Sequence, residues 1–111
     1  MGVTTIALGQ DGSSTNISEL FKLTDSTKKL VLGPNIALFI GHGTIRRLSG
    51  IGYKKNPSKE KIQKMVDLLE DGMKSGAFGL TTGLEYTPGR YAGQYELDEL
   101  AKTVGKYGGI I

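Results

Sequence analysis

Cysteine and tryptophan are absent from the 111 residues, histidine occurs once and proline three times. Without cysteine there is neither a disulfide framework nor a thiolate metal site. Residues 1–9 carry no basic stretch, and their apolar part is too short for a signal peptide or a membrane span. The chain is therefore expected to be soluble and cytoplasmic, with no membrane partner. Net charge is only +3, and the lysines are spread along amphipathic segments rather than gathered with aromatics. That distribution suits solvated helix faces and argues against a nucleic-acid surface.

What is present is glycine, 17 residues of it, without a collagen-like period. The glycines stand at the ends of apolar runs, where caps and tight turns need them. Apolar residues make up 38% and charged residues 23%, the balance of a globular domain rather than a disordered chain.

Apolar, β-branched runs at residues 3–8, 36–40 and 78–82 read as strands. The near-continuous apolar character of the first implies cover on both faces, as in a parallel sheet. Residues 10–16 read as a polar turn, with Ser14, Thr15 or Asn16 capping a short helix over 17–23. Residues 24–33 fit either a broken helix or a packed loop. Residues 42–47 follow the second strand, and 48–56 read as a loop.

The clearest helix starts after Ser58 as N-cap, carries Ile62, Met65, Val66, Leu69 and Met73 on one stripe, and stops at Gly76. A last helix over 94–107 places Leu97, Leu100, Ala101 and Val104 inward. Its acids (Glu96, Asp98, Glu99) sit near the start and Lys102 and Lys106 near the end, as the helix dipole favours. Gly108-Gly109-Ile110-Ile111 then opens a fourth strand. Strand starts recur every ~30–40 residues, enough for βαβ units on a parallel α/β sheet with right-handed crossovers.

Several stretches in order resemble the N-acyl-D-amino-acid deacylases (D-aminoacylases) of the metal-dependent amidohydrolase superfamily. They are Gly2-Val3-Thr4-Thr5 with Gly9-Gln10-Asp11-Gly12, then Gly41-His42-Gly43-Thr44-Ile45-Arg46. The most specific is Gly76-Ala77-Phe78-Gly79-Leu80-Thr81-Thr82-Gly83-Leu84-Glu85-Tyr86, followed by Pro88-Gly89-Arg90-Tyr91-Ala92. The resemblance implies a partial (β/α)8 TIM-type barrel. Residues 1–111 would form one segment, about three βα units covering strands two to four and the start of strand five.

It also implies a zinc hydrolase acting on the amide of N-acyl-D-amino acids, in which the metal polarises the carbonyl and activates a water. The family's His-x-His pair would precede residue 1, and its later histidines and an aspartate would follow residue 111. This chain by itself is accordingly expected to bind no zinc and to be inactive. Asp11 stands where the family often has a cysteine ligand, and offers an oxygen instead. His42 is the residue that could orient substrate or stabilise an oxyanion, with a structural hydrogen-bonding role as its alternative. By resemblance the loop with Glu85, Tyr86 and Arg90 lines the substrate pocket.

Two other readings stand beside this one. An incomplete barrel exposes sheet edges and apolar strand faces, which suits a homo-oligomer, an interaction module or a split-enzyme subunit completed by another chain. Residues 9–14 lead from a strand towards a helix and could take an anion or nucleotide. They lack the Gly-Lys-Ser/Thr and Gly-x-Gly-x-x-Gly patterns of nucleotide loops.

Overall fold

The computed structural model describes residues 2–15, 19, 22 and 34–111. The helix expected over 17–23 and the ambiguous stretch 24–33 fall largely outside them. Three parallel strands, β1 (Thr5–Leu8), β2 (Asn35–Gly41) and β3 (Gly79–Thr81), form a sheet in sequence order. Ile110 bridges Gly79 in parallel on the far side of β3, where a fourth strand was expected to open. The Leu80 N–H donates to the Ile110 carbonyl at 3.0 Å, and the Ile110 N–H to the Phe78 carbonyl at 3.2 Å. The sheet is thus α/β and all parallel among the described residues.

Three α-helices with described bounds accompany it: α1 (His42–Leu48), α2 (Lys59–Lys74) and α3 (Gln94–Lys106). Helix α2 forms as its apolar period dictates. The Ser58 hydroxyl accepts from the Lys61 N–H, Glu60 lies in the first turn, and Ile62, Met65, Leu69 and Met73 are buried. Gly76, at φ 103°, takes the left-handed position just beyond the C-cap that a side chain would strain. Side chains alternate along β2, so Leu38 and Ile40 meet α2 and α3. Leu80, Leu100, Val104 and Met65 complete the same cluster.

Two expectations need correction, and one helix was not foreseen. All four residues of β1 are exposed, not covered on both faces. The core cluster is built against β2 and β3 and contains no β1 residue, so β1 is left as the outer strand. Residues 42–48 are helical although no apolar period announces it. Tertiary contact decides this short segment, because Ile45 and Arg46 are fully buried. On α3 the inward stripe is Glu96, Leu100, Thr103 and Val104, while Ala101 is exposed and Leu97 half-buried. The helix is rotated so that a carboxylate enters the interior in place of a methyl group.

The core assignment is open to measurement. Truncating Leu69 or Leu100 to alanine should destabilise the fold by about 2–5 kcal/mol in denaturant titration, whereas Ala101→Ser should stay within about 0.5 kcal/mol. A large loss at Ala101 would mean that α3 packs on the face expected from its apolar pattern.

Candidate functional site

The C-terminal ends of parallel strands are where ligands bind in α/β folds, and three loops meet there. A cavity of about 180 Å³ opens between them. Asp11 and Ser13 line it from the loop after β1, Arg47 and Tyr53 from α1 and the turn beyond it, Thr87 and Pro88 from the loop after β3. The loops touch backbone to backbone. The Gly43 N–H donates to the Gly12 carbonyl at 2.8 Å. A Cβ on Gly83 would come within 2.5 Å of the Asp11 carbonyl oxygen, so only glycine allows that approach.

Ser14 ties the first loop to β2 and α1. Its hydroxyl accepts from the Gly41 N–H at 2.8 Å, while its N–H donates to Thr44 Oγ1 at 2.9 Å. Ser14, offered as a helix cap on sequence grounds, is therefore engaged across the sheet. The Thr81 hydroxyl closes the set by donating to the Gly9 carbonyl.

Behind the cavity wall lies a buried ionic cluster. Arg46 and Glu96 come from α1 and α3, 50 residues apart, and both are almost wholly enclosed. Arg46 Nε donates to Glu96 Oε1 at 2.7 Å and Nη2 to Oε2 at 3.2 Å. The remaining guanidinium donors meet backbone carbonyls: Gly52 at 2.5 Å and Pro88 at 3.1 Å from Nη1, Lys54 at 3.0 Å and Tyr91 at 3.4 Å from Nη2. One side chain thus holds the turn after α1 and the loop after β3 against α3. A planar fork can do this; a lysine ammonium could not.

His42 belongs to the same cluster. Its Nε2 lies 2.7 Å from Glu96 Oε1, and since an ionised carboxylate only accepts, this nitrogen carries the proton. The ring is fully enclosed, and its Nδ1 has no hydrogen-bond partner among the described residues. Burial by itself pushes the Glu96 carboxyl up. The hydrogen bonds from His42 and Arg46 and their charge outweigh this and hold it below the ordinary carboxylate range.

The residues singled out from sequence are placed unevenly. Asp11 is exposed, has φ 53°, and lines the cavity; its carboxylate makes no hydrogen bond or ion pair among the described residues. Glu85, Tyr86 and Arg90 are exposed, and their loop reaches the cavity through Gly83 and residues 87–89. The Arg90 guanidinium sits 6.0 Å from the Tyr91 ring centre. Arg47, Tyr53 and Glu96 are the residues that the sequence reading did not bring to the site. For Glu96 a position in the first turn of α3 mimics an ordinary dipole-favoured acid, and only the fold reveals its burial.

Removing one partner of this cluster should be costly, because the other charge stays buried. Glu96→Gln is expected to lose about 3–5 kcal/mol of stability at neutral pH. Glu96 has a lowered folded pKa, so its contribution is complete above its unfolded value of 4.5 and disappears as pH falls through the folded pKa. The stability gap between wild type and Glu96→Gln should therefore narrow progressively as pH falls below 4.5 in urea titrations. A constant gap down to pH 2 would show that the carboxylate charge contributes nothing.

No family model matches this chain. It is 30% identical over 100 residues to a D-aminoacylase of Alcaligenes xylosoxydans xylosoxydans, covering 90% of this chain and 21% of that protein. It is 36% identical over 76 residues to an N-acyl-D-glutamate deacylase of the same organism, covering 68% and 16%. Among solved structures, a D-aminoacylase that defines a subset of amidohydrolases superposes with a TM-score of 0.81 at 24% identity, over 97% of this chain and 27% of that one. An N-acyl-D-glutamate deacylase from Bordetella bronchiseptica, complexed with zinc and a phosphonate inhibitor, gives 0.82 at 25% identity, over 95% and 26%. The chain spans about a fifth of the length of the curated relatives it matches. In sequence and in fold it is a relative of the N-acyl-D-amino-acid deacylases, corresponding to one part of those longer proteins.

Proposed function

We propose that residues 1–111 are a segment of a (β/α)8 amidohydrolase barrel, equivalent to strands two to four and the start of strand five. The observation that carries this reading is the strand order. Parallel strands lie side by side in sequence order, with Ile110 next after β3. A barrel keeps that order, whereas doubly wound sheets reverse it at a switch point. The cavity lies at the C-terminal ends of the strands, the face on which barrel enzymes carry their chemistry.

In this reading the segment serves hydrolysis of the amide bond of N-acyl-D-amino acids. Asp11 supplies one oxygen towards a metal, and the loop with Glu85, Tyr86 and Arg90 forms part of the substrate wall. Zinc would polarise the scissile carbonyl and activate water. The described residues do not fit such a metal by themselves. No three His, Cys, Asp or Glu side chains gather among them. His42 is enclosed and committed to Glu96. Three protein ligands are the usual minimum for catalytic zinc, so no hydrolytic step is assigned to this chain alone.

A second reading rests on β1. Its residues are exposed on both faces, Val3 beside it is 72% exposed, and its outer edge has no strand partner among the described residues. Such an edge invites strand addition. Pairing with a complementing chain or a second copy would supply the missing cover and, in the first case, the missing metal ligands.

The purified chain, assayed with zinc and N-acetyl-D-amino acids, should show no amide hydrolysis and substoichiometric zinc. Turnover by the chain alone would overturn the reading that it carries out no hydrolytic step by itself. Sedimentation at micromolar concentration should show an oligomer; a monodisperse monomer would remove the strand-pairing reading and leave the barrel assignment standing.

A further inference from the structure

Arg46 and Arg47 are neighbours in sequence with opposite environments. Arg46 is enclosed with every donor direction met. Arg47 is exposed and lines the cavity, and among the described residues its guanidinium makes a single polar contact, a 3.3 Å bond to Thr44 Oγ1. No carboxylate forms an ion pair with it among the described residues, although Asp11 shares the same cavity. Across the turn, the Tyr53 ring stands edge-on to Tyr91, with centres 6.4 Å apart. Its hydroxyl makes no hydrogen bond among the described residues.

A cation and a phenol with open donors therefore border one small cavity. Four of its other lining residues are glycines in tightly packed loops, and its volume of about 180 Å³ admits a compact group rather than a bulky one. Guanidinium presents paired N–H donors that match the oxygens of carboxylate and phosphate. The turn that bears Tyr53 is clamped by Arg46 through the Gly52 and Lys54 carbonyls, so the pair is held before any ligand arrives.

We propose that this cavity binds a small oxyanion, a carboxylate or a phosphate, through the Arg47 guanidinium and the Tyr53 hydroxyl. This goes beyond the hydrolase reading, since it needs no metal and uses neither Glu85, Tyr86 nor Arg90. It also replaces the nucleotide-loop alternative for residues 9–14, because the donors come from α1 and its following turn. The exposed Asp11 carboxylate repels a second negative charge, so a monoanion is favoured over a dianion.

The test uses the full chain, labelled with nitrogen-15 and titrated at pH 7 with sodium acetate and with sodium phosphate. Sodium chloride at matched ionic strength is the reference. Saturable shifts are expected at the Ser13, Gly43 and Thr87 amides and at Arg47 Nε. Arg47→Gln should weaken the binding about tenfold, the loss of one charge-assisted pair. Tyr53→Phe should weaken it to a smaller extent, and Asp11→Asn should strengthen phosphate binding. Lys64→Gln, exposed on α2 and outside the cavity, should leave it unchanged. Saturation by acetate, by phosphate or by both supports the site and tells which oxyanion it prefers. Shifts that merely follow ionic strength, or that saturate at an unchanged concentration in Arg47→Gln, would overturn it.

Discussion

The described structure hangs on one buried ion pair. Arg46 and Glu96 give up water on both sides, a cost that the Coulomb attraction of a buried pair only roughly repays. What tips the balance here is geometry. The carboxylate takes two guanidinium bonds and one from His42, and four backbone carbonyls take the remaining guanidinium donors. Those carbonyls belong to the two segments that wall the cavity, so the pair sets the shape of the site more than it adds to stability. A hydrophobic substitute of equal volume would fill the space, yet it could not reach Gly52, Pro88 and Glu96 together.

Legibility from sequence followed the range of the interactions. Helix α2 was legible in full, because its cap, stripe and stop are local signals within one segment. So were the parallel strands and the pairing at Ile110. The short α1 was not, since a seven-residue helix with glycine in its first turn is held by Ile45, Arg46 and Thr44 meeting distant partners. Glu96 was legible as a helix-start acid and not as a buried one. The same residue type serves both roles, and only its 54-residue-distant contact with His42 separates them. The place of Asp11 after β1 was legible, and it lines the cavity, whereas Arg47 and Tyr53 needed the cavity itself to be seen.

The relation to D-aminoacylases and N-acyl-D-glutamate deacylases covers a shared backbone and scattered identities over part of those proteins. The scaffold elements, loop contacts and ionic cluster are all internal to this chain. A metal's full donor set is not found among the described residues. The Arg46 and Glu96 side chains brace the cavity from behind, whereas Asp11, Arg47 and Tyr53 border it.

The most direct measurement of the bracing role is native-state hydrogen exchange on wild type and Arg46→Met. If one guanidinium holds both segments, amides in residues 50–54 and in residues 86–92 should lose protection together, while those of α2 remain slow. Loss in one segment alone, or unchanged protection in both, would contradict the account.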